Sequence, residues 1–398
     1  MKSIKIIPSK SDAHRAMICA ALSKEPCEIL CEATSEDIEA TIDCLVALKV
    51  GGEVMECGES GSTLRFLLPV MGALGHKAAF MPKGRLPERP LSPLYEELQA
   101  HGCTLSQPGS VPFVIQGKLQ PGVYTIPGTG SSQFITGLLL ALPILDGDSQ
   151  IIIEGPLESK GYVDLTLGVI EKFGIKVDAL ENGFAVKGNQ VYQGPAAYQV
   201  EGDWSNAAFW LAAGVFLQEG LLCEGLREDS LQGDKKIVEM LKAFGAKASQ
   251  DENSVNVYGG KLHGIEIDAS PIPDMVPTLA LLGSVATGST VIKNAGRLRI
   301  KESDRLKTVA ATLNALGADI TETADGLIIN GREKLKGGSV DGCGDHRIVM
   351  MAAIASLVCE DKVHITGAGA VRKSYPNFFQ EMKRLGIDDK LCIINERK

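Results

Sequence analysis

The segment Arg297-Leu-Arg-Ile-Lys-Glu-Ser-Asp-Arg-Leu-Lys307 places five cationic side chains and two carboxylates in eleven positions of a chain whose formal net charge is −9. Positive charge this dense in an acidic protein suits a local task, most simply the grip of a small anion. Glu302 and Asp304 add groups that can move protons, so the mixture fits an enzyme that handles phosphate or carboxylate substrates. A solvent-facing, salt-bridged helix is the competing reading of the segment taken alone.

Six further segments join polar, glycine or proline residues to the start of an apolar run. They are Pro8-Ser-Lys-Ser-Asp-Ala-His-Arg15, Gly58-Glu-Ser-Gly-Ser-Thr-Leu-Arg65, Gly128-Thr-Gly-Ser-Ser-Gln133, Gly202-Asp-Trp-Ser-Asn206, Pro271-Ile-Pro-Asp274 and Gly342-Cys-Gly-Asp-His-Arg347. Each reads as a helix start. Helix N-termini offer free N–H groups and the positive end of a dipole, so several that converge would bind anions strongly. Plain N-capping explains any one of them equally well. Lysine or arginine accompanies three of the six, which capping does not require. Familiar phosphate loops are excluded: Arg372 occupies the glycine position that a P-loop needs in Gly367-Ala-Gly-Ala-Val-Arg-Lys-Ser374, and Gly128-Thr-Gly-Ser-Ser-Gln133 lacks the third glycine of a dinucleotide fingerprint.

The elements that would position these residues repeat. Helical patterns ending in Gly102, Gly174, Gly245, Gly317 and Gly386 recur at intervals of 72, 71, 72 and 69 residues, and a looser copy ends at Gly51. Each glycine suits the left-handed residue that closes a helix. Apolar helices over 16–22, 64–74, 137–145, 207–216, 278–285 and 348–358 alternate with these amphipathic ones and read as buried. The expected fold is α/β (α+β): six units, each with one inner and one outer helix, grouped as two lobes of three, with the inner N-termini facing the cleft between the lobes.

With 398 residues and 44% apolar content, the chain has ample core for two domains. A pI near 5.3 argues against nucleic acid or an anionic membrane as partner. The longest apolar run, around 137–145, is too short to span a bilayer, and no signal-peptide h-region is visible. The ten cysteines show no CxxC or zinc spacing. A cytoplasmic location is expected.

Taken together, Lys10-Ser11 with Arg15, Gly61 with Arg65, Glu88-Arg89-Pro90, Ser131-Ser132-Gln133, Ser159 with Tyr162, Asp274, Lys301-Glu302-Ser-Asp-Arg305, Asp345-His346-Arg347 and Lys373-Ser-Tyr-Pro376 resemble, in order and context, the 5-enolpyruvylshikimate-3-phosphate synthase family. The resemblance runs from about residue 8 to 380. It implies two lobes, each of three βαβαββ units: residues 9–201 inserted as one, 1–8 plus 202–398 as the other.

It also implies residue roles. Ser131, Ser132, Ser159 and Lys301 would hold the 3-phosphate of shikimate 3-phosphate. Ser11, Arg15 and Tyr162 would contact its ring, with Lys10 and Gln133 nearby, and Asp274 its 5-hydroxyl. Arg305 and Arg347 would clamp the carboxylate of phosphoenolpyruvate, while Lys10, Arg89, Gln133 and Lys373 meet its phosphate beside Gly61. Asp274 would be the base, Glu302 the proton handler at the methyl carbon, and Lys10 an acid/base partner. No metal or organic cofactor is implied, and a monomer that closes on shikimate 3-phosphate is expected. A lower radius of gyration in small-angle scattering with that substrate is the corresponding result.

Two alternatives stand beside this one. A UDP-N-acetylglucosamine enolpyruvyl transferase shares the fold but carries a cysteine in the loop that here reads Lys83-Gly-Arg-Leu-Pro-Glu-Arg-Pro90, with none. A non-catalytic binder of phosphorylated metabolites would keep the arginines but has no need of Asp274 and Glu302 among them.

Overall fold

A computed structural model describes residues 2–394. The chain divides into two compact units, Pro8–Val200 and Met1–Ile7 with Glu201–Lys398.

In the unit Pro8–Val200 the helices are α1 (Lys10–Leu22), α2 (Glu36–Lys49), α3 (Gly61–Leu74), α4 (Leu94–Ala100), α5 (Ser132–Ala141) and α6 (Lys160–Lys172). Two four-stranded sheets follow one plan. Val54–Gly58 lies parallel to Ala78–Pro82, which pairs antiparallel with Phe113–Gly117, and Cys103–Leu105 completes the edge. Val123–Pro127, Ser149–Glu154, Gly183–Val186 and Val177–Leu180 repeat that order. In each, an inner helix carries the chain between the two parallel strands, as a parallel pair requires a crossover. A third, shorter sheet pairs Glu28–Leu30 with Ala197–Gln199.

The other unit holds α7 (Trp204–Phe216), α8 (Ile237–Phe244), α9 (Val276–Ser284), α10 (Arg305–Ala315), α11 (His346–Ala355) and α12 (Phe378–Arg384). The edge strand Lys2–Lys5 pairs parallel with Leu221–Glu224, and Ser254–Tyr258 and Lys247–Asp251 complete that sheet. Glu266–Asp268, Ser289–Lys293, Leu327–Asn330 and Asp319–Glu322 form the second. Gly338–Asp341, Val363–Thr366 and Leu391–Ile393 form a three-stranded parallel sheet. Among the described residues, four of the six sheets thus carry the full four-strand repeat, and two are abbreviated.

The inner helices are buried because their sequences are apolar on every side. In α7 every residue from Trp204 to Val215 is buried, and in α3 twelve of fourteen are. The outer helix α8 instead buries one stripe, Ile237, Val238, Leu241 and Phe244. Gly102, Gly174, Gly245, Gly317 and Gly386 all take positive φ at the ends of outer helices, so the period read from the sequence marks real chain turns. Gly137 has a separate task. A Cβ there would lie 2.4 Å from the Arg65 carbonyl oxygen. Its absence lets α5 approach α3 and brings Gln133 to Arg65.

Candidate functional site

Five of the six inner helices begin with a side-chain cap. Ser9, Ser60, Ser131, Asp203 and Asp345 accept N–H bonds in the first turns of α1, α3, α5, α7 and α11. Capping is therefore part of what these motifs do. Asp274 is the exception: neither the 3-10 turn Pro273–Met275 nor α9 after it has a side-chain cap.

In the unit Pro8–Val200 the candidate residues cluster at the starts of α1, α3, α5 and α6. Lys10 Nζ lies 2.7 Å from Asp37 Oδ2. Arg65 donates to Gln133 Oε1 (3.3 Å) and to the Pro90 carbonyl (3.0 Å), and Gln133 Nε2 donates to Ser62 Oγ (3.0 Å). Gly61 sits against two guanidiniums: a Cβ there would stand 2.6 Å from Arg65 Nη1 and 2.9 Å from Arg89 Nη1. Gly61→Ala is accordingly expected to push the Arg65 and Arg89 guanidiniums aside and to cost about 1–3 kcal/mol of stability, as overpacking does. Chemical denaturation checks this, and an unchanged midpoint would count against it.

Ser131 caps α5, with Ser132 and Gln133 in the first turn. Ser159 is buried at φ 51°, a conformation uncommon for serine, directly before α6. Arg15 is less available than expected. Its Nε donates to Thr166 Oγ1 (2.8 Å), Nη1 to the Ser11 carbonyl (2.5 Å), and Nη2 to Thr136 Oγ1 (3.3 Å) and the Tyr162 carbonyl (3.0 Å). Four of its five N–H donors are thus engaged by protein, leaving one at most for a ring hydroxyl. Burial lowers its pKa to about 10, with Asp12 opposing. Its main observable task is to tie α1, α5 and α6 together. Behind α1, His14 Nδ1, Thr41 Oγ1 and Thr63 Oγ1 form a buried chain with steps of 2.7 and 2.6 Å that ends 2.7 Å further on at Ser60 Oγ. Burial first, then Lys10 and Arg15, keeps His14 neutral.

In the unit Met1–Ile7 with Glu201–Lys398, the candidates Asp274, Lys301, Glu302, Arg305 and Arg347 form one ionic cluster. Arg305 is 2% exposed. Its Nη1 donates to Asp274 Oδ1 (2.9 Å), Nη2 to Glu302 Oε2 (2.5 Å) and Asp345 Oδ1 (3.3 Å), and Nε to Asp345 Oδ2 (2.8 Å). Arg347 Nη2 reaches Asp274 Oδ2 (3.2 Å) and Ser205 Oγ (3.0 Å), and Nη1 the Asp274 carbonyl (3.1 Å). Lys301 Nζ is 3.6 Å from Asp274 Oδ1. Lys373 Nζ donates to the Gly344 carbonyl (3.0 Å). Burial alone would raise the Asp274 carboxyl, but Arg347, Lys301 and Arg305 outweigh it and hold it well below the usual range. Burial lowers the Lys301 ammonium despite Asp274.

Sequence reading assigned no role to Asp345 or Ser205. Asp345 is fully buried, grips Arg305 through both oxygens, accepts from Ser303 Oγ (3.0 Å) and caps α11 at the Arg347 N–H (3.0 Å). The available signal was its place two residues before Arg347. Burial pushes its carboxyl up, yet Arg305 more than compensates and leaves it low. With the folded value below the unfolded one near 3.9, its contribution to stability is present above about pH 5 and lost as pH falls through and below that value. Thermal unfolding between about pH 6 and 3 is expected to show a shallower acid decline for Asp345→Asn, which keeps the cap but not the charge. Parallel declines would contradict this.

Among the described residues no cluster of His, Cys, Asp and Glu could hold a metal ion, and no helix is long and apolar enough to cross a membrane. All ten cysteines are free thiols.

The fold is that of the enolpyruvyl transferases. It matches EPSP synthase from Acinetobacter baumannii with a TM-score of 0.78 at 23% identity, over 96% of this chain and 95% of that one. It matches the enolpyruvyl transferase NikO from Streptomyces tendae with a TM-score of 0.77 at 17% identity, over 97% and 95%. Sequence narrows the class. The EPSP synthase (3-phosphoshikimate 1-carboxyvinyltransferase) family model matches residues 1–56 and 48–382. The 3-phosphoshikimate 1-carboxyvinyltransferase of Clostridium kluyveri is 46% identical over 404 residues, 96% of this chain and 94% of the relative. That of Clostridium acetobutylicum is 45% identical over 412 residues, 97% and 95%. The chain belongs to the EPSP synthase family.

Proposed function

We propose a division of labour for the family reaction, in which this chain transfers the enolpyruvyl group of phosphoenolpyruvate to the 5-hydroxyl of shikimate 3-phosphate and releases phosphate. That activity belongs to the shikimate route to aromatic amino acids. The 5-hydroxyl oxygen attacks C2 of phosphoenolpyruvate while a proton adds to C3. The tetrahedral ketal phosphate then loses phosphate, and a proton leaves C3 to give the enolpyruvyl ether.

Asp274 takes the hydroxyl proton and later gives it up to the departing phosphate. Glu302, which lies against Arg305 and carries a proton before the addition, delivers that proton to C3 and takes one back from C3 in the elimination, with Lys10 as acid/base partner. Arg305 and Arg347 clamp the planar carboxylate, which suits guanidinium geometry; lysines, serine hydroxyls and helix N-termini suit the tetrahedral phosphates. Lys301, Ser131, Ser132 and Ser159 take the 3-phosphate. Ser11, Arg15 and Tyr162 take the ring. Lys10, Gln133, Arg89 and Lys373 stabilise the charge that develops on the leaving phosphate. The protein acts as a monomer in the cytoplasm.

The observation that carries this assignment is the placing of Asp274 and Glu302 on the same buried guanidinium, Arg305. A passive anion binder needs no proton-transfer groups there, whereas addition to and elimination from phosphoenolpyruvate need them. Phosphate release from phosphoenolpyruvate, assayed with shikimate 3-phosphate and separately with UDP-N-acetylglucosamine, tests it. Release with the first alone is expected. Release with the sugar nucleotide, or with neither, would refute it.

A further inference from the structure

The Asp274 carboxylate sits where a clamped substrate carboxylate would have to sit. One oxygen accepts from Arg305 Nη1 at 2.9 Å and the other from Arg347 Nη2 at 3.2 Å. A planar group bridging two guanidiniums is the arrangement that the clamp must offer to phosphoenolpyruvate. We propose that Asp274 is a specificity-determining residue as well as a base: its carboxylate plugs the Arg305–Arg347 clamp, and the clamp opens to a ligand able to replace that carboxylate with its own. This deepens the reading given under Proposed function and rests on it.

Three observations support an exchange over a movement of the arginines. Arg305 is 2% and Arg347 5% exposed, so neither swings freely. Both guanidiniums are also anchored by Asp345, Glu302, Ser205 and the Asp274 carbonyl, so they stay in place when the donors facing the Asp274 side chain exchange partners. The Asp274 side chain caps no helix and is 16% exposed, more than either arginine, so it can leave without unmaking a structural element. Charge adds a fourth reason. Lys301, Arg305 and Arg347 stand beside Asp274, Glu302 and Asp345. Three cations beside three carboxylates leave no surplus positive charge to draw in an arbitrary anion.

Two consequences follow. Inorganic phosphate has its own proposed partners in Lys10, Arg89, Gln133 and Lys373, so freeing the Arg305–Arg347 clamp favours it less than a ligand that also carries a carboxylate. Release of Asp274 also removes two of the cations that suppress its basicity, so the base becomes competent as the second substrate is seated. The internal occupant lowers apparent affinity by the fraction of time it fills the clamp, and removing it restores the intrinsic value.

The test is phosphoenolpyruvate affinity in the presence of shikimate 3-phosphate for wild type, Asp274→Asn and Asp274→Ala, with Glu302→Gln as the charge-matched control and inorganic phosphate as a second probe. The two Asp274 variants are expected to bind phosphoenolpyruvate about tenfold tighter, Glu302→Gln to change it less, and inorganic phosphate to gain little. Either Asp274 variant suffices if the other does not fold. Equal or weaker binding of phosphoenolpyruvate would overturn the proposal, and so would an equal gain for inorganic phosphate, which net charge alone explains. Absence of phosphate release by wild type would remove the functional reading beneath it, an outcome separable from the affinities.

Discussion

Asp274→Asn is expected to lower turnover by roughly 10²–10⁴-fold, the usual contribution of a positioned base, while folding and shikimate 3-phosphate binding persist. The motive is both chemical and geometric. The segment Ser270-Pro-Ile-Pro-Asp-Met-Val-Pro277 holds the residue in a short 3-10 turn before α9. Had Asp274 capped that helix, asparagine would serve as well and the change would be nearly harmless. It does not cap; its oxygens face Arg305, Arg347 and Lys301. Asparagine fits the same space but accepts no proton. Steady-state kinetics with both substrates saturating, alongside thermal unfolding, give the result. Near-normal turnover would leave the base unidentified.

Arg347→Ala and Arg89→Ala are expected to weaken phosphoenolpyruvate binding by about 2–5 kcal/mol, the cost of removing one member of a buried charge pair. Shikimate 3-phosphate binding should fall much less. Arg347 earns this expectation from its place: 5% exposed, fixed by Ser205 and by the Asp274 backbone, and turned toward a carboxylate. Arg89 packs its guanidinium over Gly61 at the start of α3, where a phosphate would meet the helix N-terminus. Titration calorimetry with each substrate separates the two, and equal losses for both would sink the assignment. Arg347→Lys should not rescue fully, because an ammonium lacks the planar fork.

Much of this protein was legible in its sequence because the informative signals are local. Apolar runs at helical length identify α3, α7 and α11 as buried, and the glycines about 70 residues apart mark where outer helices stop. These depend on side-chain period and on φ at single residues, both of which a sequence records. Residue types also marked the dense cationic segment and the polar helix starts. Partner choice was not legible. That Arg305 would lie between Asp274, 31 residues before it, and Asp345, 40 residues after it, is decided by how α9, α10 and α11 pack. The same holds for Arg15, which sequence reading offered to a substrate ring and the fold largely engages with Thr136, Thr166 and two carbonyls up to 151 residues away. A guanidinium is drawn to any carboxylate or carbonyl that packing brings within about 3 Å. The sequence by itself therefore determined which charges are available, and tertiary structure alone decided which of them neutralise one another and which are left to meet a substrate.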